Sequence, residues 1–98
     1  MAIQNRSVSS VEHDFYQTRS GLTGNPPLSD CKAKYFSDEG FGGEKKPISQ
    51  MEGEWLSSQT GVTSANAPDQ WREAVAGLGL TPEYSTDQNK RIFFENLP

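Results

Sequence analysis

The chain has 98 residues and a formal net charge of −4, which suits one small acidic domain. Leu, Ile, Val and Phe number six, three, four and five, so they supply only 18 of the 98 residues; we expect a thin core that neighbouring proteins complete. The composition also disfavours several functions, because no apolar run is long enough to cross a membrane, the negative charge repels nucleic-acid phosphates, and one Cys and one His leave few metal ligands.

Apolar spacing and capping residues predict five short helices in chain order. Ser, Thr, Asp or Pro stands at the expected start of each helix, and a glycine follows each of the first four. The apolar residues recur at helical spacing, as in Trp71, Val75 and Leu78. The fold class is therefore all-α, with helices near residues 10–20, 30–39, 48–60, 68–78 and 86–96.

The helices recur as a unit of about twenty residues. Polar anchors separated by 20, 20, 19 and 18 residues begin the units: Ser10, Asp30, Gln50, Asp69 and Asp87. Five and six residues after each anchor stands an apolar pair: Phe15–Tyr16, Tyr35–Phe36, Trp55–Leu56, Ala74–Val75 and Ile92–Phe93. Two interpretations stay open, namely an internal repeat and ordinary capped helices of similar length.

Two segments also fit a short strand. The polar, β-branched start from Ile3 to Val11 suits an edge strand added to a partner, and the cluster from Ile92 to Phe94 suits a short strand near the other end. Residues 1–10 contain no apolar run of the kind found in signal peptides, so we expect none.

Glycines and prolines divide the chain into two predicted parts. The stretch from Gly40 to Pro47 has three glycines and two lysines and is the expected hinge. Residues 1–46 then form an N-terminal arm with two short helices, and residues 47–98 form a three-helix body that holds both tryptophans. Helices and links this short predict a small irregular bundle or an open, solenoid-like string.

The predicted core follows the apolar pairs and their helical neighbours. It consists of Phe15, Tyr35, Phe36, Met51, Trp55, Leu56, Trp71, Val75, Leu78, Ile92 and Phe93. Two short helices have too little surface to bury the rings of the arm against each other, so these rings are expected to anchor a partner. The predicted partner-binding residues are Phe15, Tyr16, Tyr35 and Phe36. In the alternative, the arm folds back on its own body.

Few side chains favour catalysis. A nucleophilic pair would need His13 and Cys31, and the favoured interpretation of these is a surface histidine and a small buried thiol. The glycines at 40–43 are followed by Lys-Lys-Pro and lack the Lys-Ser/Thr that ends a phosphate-binding loop, while the acidic residues beside them lack EF-hand spacing. We therefore expect no enzyme, no cofactor and no metal site.

In general character the chain resembles small structural proteins of tailed-bacteriophage particles. The resemblance is one of type, spread over the whole length, and it implies a virion component without an active site. The features that carry it are an arm-like start at Met1 to Ser10, the flexible Gly40 to Pro47, and a compact second half with Glu54-Trp55-Leu56, Asp69-Gln70-Trp71 and Leu78-Gly79-Leu80-Thr81. Linker proteins of other large soluble complexes share this character.

The expected function is that of a non-enzymatic structural or adaptor subunit of a large assembly. The resemblance implies a phage virion, assembled in the host cytoplasm. In it the chain would bind capsid, neck or tail proteins in several copies, as a decoration, cement or joining component. No direct contact with nucleic acid or membrane is expected. The alternative is a cytoplasmic protein-binding module that regulates another protein.

Overall fold

Five α-helices and their links make up the computed structural model, which describes residues 7–97. The helices are α1 (Val8–Ser20), α2 (Leu28–Asp38), α3 (Ile48–Thr60), α4 (Ala67–Gly77) and α5 (Thr86–Asn96). Within residues 7–97 there is no strand, and the all-α prediction is confirmed. The cluster at 92–94 belongs to α5, and residues 8–11 open α1. The remainder of the possible edge strand, residues 3–6, lies outside the described residues.

Three helices begin at a side chain that accepts a hydrogen bond from an N–H group of the first turn, and the other two begin at a proline without such a bond. The Ser7 hydroxyl caps α1 by accepting a hydrogen bond from the backbone N–H of Ser10 at 3.2 Å, and Asn66 and Ser85 cap α4 and α5 in the same way. Pro27 stands at the N-cap of α2. The helix α1 begins two residues before its predicted start at residue 10, because its N-cap is Ser7 and Ser10 is its third residue.

Glycine ends two of the helices in the left-handed conformation. Gly21 follows α1 and Gly61 follows α3, each with φ of 76°. Their N–H groups donate to the carbonyl oxygens of Gln17 and Ser57, at 3.1 and 2.8 Å. Because other residues are strained at this φ, glycine sets the length of both helices.

The helices recur at nearly equal intervals, close to the predicted twenty residues. The N-caps lie at positions 7, 27, 47, 66 and 85, so successive units start 20, 20, 19 and 19 residues apart. The apolar pair stands eight and nine residues after each N-cap. In the last unit that pair is Phe93–Phe94, and both residues are buried. The predicted pair, Ile92–Phe93, is one residue too early, and Ile92 is only partly buried.

Each helix packs against the next one in the chain, and α1 also packs against α5, so the five helices close into a ring. The radius of gyration is 13.0 Å, as expected for a compact chain of about 100 residues. Of the two predicted arrangements, the bundle is the one observed. Residues 7–46 fold against α3 and α5, which is the alternative in which the arm folds back on the body.

Aromatic rings contributed by all five helices fill the centre of the ring of helices. Trp55 is fully buried and contacts five other rings, with centroids 5.5 to 5.9 Å away: Phe15, Tyr16, Tyr35, Phe36 and Phe93. Such contacts stabilise a core beyond simple burial. The predicted core residues are buried apart from Phe15, Leu78 and Ile92, which are partly buried at its margin.

Candidate functional site

The four predicted partner anchors lie together, inside the chain's own core. Tyr16 and Phe36 are fully buried, Tyr35 is 8% exposed and Phe15 is partly buried. Sequence reasoning assigned them to a partner because α1 and α2 alone have too little surface to cover four rings. The structure supplies that surface from α3 and α5, where Trp55 and Phe94 pack against Phe15 and Tyr16. A partner would reach the fully buried Tyr16 and Phe36 only if α1 and α2 came away from the other helices.

A cluster of paired charges, here called the ionic cluster, joins four of the helices: Glu12, Lys32, Glu52 and Lys90. The Nζ of Lys32 lies 3.4 Å from Glu12 Oε2 and 3.2 Å from Glu52 Oε2, and the Nζ of Lys90 lies 3.6 Å from Glu12 Oε1. The Tyr16 hydroxyl donates to Glu52 Oε2 at 2.9 Å. Burial, together with the adjacent Glu52 carboxylate, raises the pKa of Tyr16 well above its ordinary value.

The ionic cluster occupies one position of the repeat. Each of its members stands five residues after the N-cap of its helix, and the same position in α4 holds Trp71. The Nζ of Lys90 lies 5.5 Å from the centre of the Trp71 ring, a cation–π distance. The opposite charges pair with one another between the helices inside the chain, which is a structural arrangement.

The two residues considered for nucleophilic chemistry are both engaged elsewhere. The Nε2 of His13 lies 2.7 Å from the carbonyl oxygen of Pro26, and Cys31 is fully buried. Burial raises the pKa of the Cys31 thiol, and the nearby Asp30 carboxylate raises it further. Within residues 7–97, no three His, Cys, Asp or Glu side chains come together as a metal site. None of the helices in that range is both long and apolar enough to cross a membrane.

Two large apolar side chains are exposed at the link between α4 and α5. Tyr84 is 90% exposed and Leu80 is 37% exposed, and they are the large hydrophobic side chains that the described part of the chain leaves open to solvent. The half-buried Pro82 lies between them. The other aromatic side chains of residues 7–97 are buried or partly buried, so Tyr84 is the aromatic residue that the core leaves out.

The backbone that carries Tyr84 is fixed on both sides. The fully buried Asn89 accepts a hydrogen bond from the backbone N–H of Glu83 at 2.7 Å and donates from Nδ2 to the Glu83 carbonyl oxygen at 3.1 Å. The Nη2 of Arg72 donates to the carbonyl oxygen of Tyr84 at 3.1 Å. Ser85 follows as the N-cap of α5, so the link presents the Tyr84 ring from a held backbone.

A groove of about 550 Å³ runs beside this link along the outer side of α5. Its lining consists of Glu83, Asp87, Gln88, Arg91, Ile92 and Glu95. The three carboxylates outnumber the single guanidinium, and the half-buried Ile92 provides the apolar part. The surface formed by Leu80, Tyr84 and this groove is called the α5 surface below.

A larger, more polar groove of about 810 Å³ lies between α3 and the segment 62–70. Its walls are mostly hydroxyl, amide and carboxylate side chains. A hydrogen bond from Lys46 lowers the pKa of Glu54 at one edge. Neither groove has an aromatic side chain in its lining, and the difference is that the α5 groove adjoins the link that carries the exposed Tyr84.

Sequence reasoning missed Tyr84, Leu80 and Asn89. One signal for Tyr84 was available, because it is an aromatic residue in a proline-containing link and has no place in the helical pattern. The role of Asn89 had no such signal, since its hydrogen bonds to Glu83 depend on how the link returns to α5.

No protein-family model, curated protein or solved structure matches this chain. The functional argument therefore rests on the residues of the chain itself, and among these the α5 surface is the candidate functional site.

Proposed function

We propose that this chain is a non-enzymatic structural or adaptor subunit of a larger assembly, and that it joins its neighbour through the α5 surface. The observation that carries the proposal is the Tyr84 ring, 90% exposed on a link whose backbone is hydrogen-bonded to Asn89 and Arg72. Tyrosine is enriched among the residues that dominate protein–protein binding energy.

The physical reason is the low cost of using a side chain whose backbone is already held. Covering a large apolar side chain gains about 1.5–3 kcal/mol. Ordering a mobile loop on binding would consume much of that gain. Here the backbone on either side of Tyr84 is held before any partner arrives, so most of the gain remains available for association.

The step from an assembly subunit to a bacteriophage particle is supported by the resemblance in general character described above. In such a particle the chain would decorate or cement the capsid, or join neck or tail components, in several copies. The acidic surface and the thin aliphatic composition are part of that character.

Purified particles test the proposal directly. Particles separated from free protein on a density gradient should contain the chain at a fixed number of copies by quantitative mass spectrometry. Tyr84→Ala should lower that number, whereas Tyr84→Phe, which keeps the ring, should leave it unchanged. If the chain is absent from particles and is recovered instead in a complex with a single cytoplasmic protein, the proposal fails and the regulatory alternative replaces it.

A further inference from the structure

We infer that the α5 surface binds a basic segment of another protein, whose lysine or arginine side chains meet the groove while an apolar side chain packs on Tyr84. This inference rests on the proposed function, since it names the chemistry of the partner at the same surface.

The negative charge of the groove favours a positively charged partner segment. Glu83, Asp87 and Glu95 contribute three negative charges against the one positive charge of Arg91, and all three carboxylate residues are exposed. The whole chain carries −4, so an acidic partner is repelled at long range as well as at the groove.

The spacing of these charges sets the size of the segment. Asp87, Arg91 and Glu95 follow one another at intervals of four residues and so lie on one side of α5. The two carboxylates at the ends are about 12 Å apart along the helix axis. An extended peptide covers that distance with about four residues. A short basic stretch therefore suffices.

The apolar part of the α5 surface requires that the partner segment also carry an apolar residue. Ile92 lines the groove together with the charged side chains, and Tyr84 directly follows the lining residue Glu83 in the chain. A segment with only charged residues would leave both uncovered. We therefore expect basic residues next to at least one large apolar residue, with the ring of Tyr84 also able to stack on a guanidinium group.

A pair of synthetic peptides tests the inference. One carries lysines around a central leucine, and the other has glutamates in place of the lysines. Each is titrated into the full-length, ¹⁵N-labelled chain. The lysine peptide should shift amide signals between residues 80 and 95 and bind more weakly as salt is added, whereas the glutamate peptide should cause no shifts.

Two surface variants and one matched control make the test specific. Tyr84→Ala should weaken binding of the lysine peptide by about tenfold. The double variant Glu83→Lys/Glu95→Lys should weaken it by a similar factor. The control Glu39→Lys/Glu44→Lys changes the net charge by the same amount at exposed residues elsewhere, and it should weaken binding by less than about threefold. Amide spectra of the free variants verify that each is folded.

Several outcomes would overturn the inference. Equal weakening by the two double variants would mean that the peptide responds only to overall charge. Shifts outside residues 80–95, or equal binding of the glutamate peptide, would place the contact or its chemistry elsewhere. Dimerisation abolished by Tyr84→Ala would make a second copy of this chain the occupant. Incorporation into particles is measured separately in each case. That experiment tests the proposed function, and the peptide titration tests only the inference about the partner segment.

Discussion

The ionic cluster makes the fold sensitive to one carboxylate, and Glu12→Gln tests this. Glu12 is 5% exposed and faces the ammonium groups of both Lys32 and Lys90. The substitution keeps the shape of the side chain and removes its charge. Lys32 then retains Glu52 as a counter-charge, but Lys90 keeps only its contact with the Trp71 ring.

The expected loss follows from the burial of the pair. Removing one partner of a buried ion pair costs about 3–5 kcal/mol, because the other charge remains without compensation. The side chains of Lys32 and Lys90 are 15% and 21% exposed, so both can extend toward water after the change. We therefore expect Glu12→Gln to lower the free energy of unfolding by about 2–4 kcal/mol, a large fraction of a typical total.

Urea unfolding followed by tryptophan fluorescence measures this loss, because Trp55 and Trp71 are both buried. The matched control is Glu54→Gln, the same change in an ion pair with Lys46 at the surface, and its effect should be much smaller. A second variant, Glu12→Gln with Lys90→Met, should recover part of the loss, since no uncompensated ammonium remains on α5. The reasoning is refuted if Glu12→Gln costs no more than Glu54→Gln.

Three further predictions concern the core and the helix contacts. Trp71→Ala should lower the free energy of unfolding by about 3–5 kcal/mol, because this side chain is 1% exposed, and an unchanged urea midpoint would contradict its place in the core. Gly77→Ala should lower it by about 1–3 kcal/mol, since the new Cβ would lie 2.6 Å from Thr60 Cβ and 2.8 Å from its carbonyl oxygen. Gly53→Ala is the control, because its Cβ meets only the end of a flexible side chain. Burial raises the pKa of Tyr16, so the stability given by its neutral phenol is complete below about pH 10 and is lost as pH rises toward the raised value; Tyr16→Phe should begin to unfold at higher pH than the natural chain in an alkaline titration.

The helices were predictable because their signals are local. A capping side chain, a proline at the N-cap and a terminal glycine act within one turn, and α3 and α5 have the predicted bounds. The errors have the same local origin. The sequence pattern places the first polar anchors of α1 and α2 at Ser10 and Asp30, whereas Ser7 and Pro27 stand at the N-caps three residues earlier.

The same local signals could not predict whether the aromatic side chains pack in the chain's own core or against a partner. Counting Leu, Ile, Val and Phe makes the core look thin, but that count leaves out Tyr16, Tyr35, Trp55 and Trp71. These four side chains are buried, and their volume fills much of the centre. The need for a partner to complete the core, inferred from the small count of Leu, Ile, Val and Phe, is met inside the chain by the Tyr and Trp residues that the count omits.

Because the five helices close into a ring, the exposure of Tyr84 does not result from an uncovered end of the repeat. In an open string the terminal helices would each leave a face uncovered, and an exposed aromatic residue would be one of many. Here α1 packs against α5, so the repeat covers its own ends. The apolar pair of every unit, apart from the half-buried Phe15, is buried in the shared core. Tyr84 lies outside the repeat, and its backbone is held by Asn89, which is itself fully buried. The buried Asn89 thus holds the backbone that keeps the Tyr84 side chain outside the core. This is the physical basis for proposing the α5 surface as the place where a partner binds.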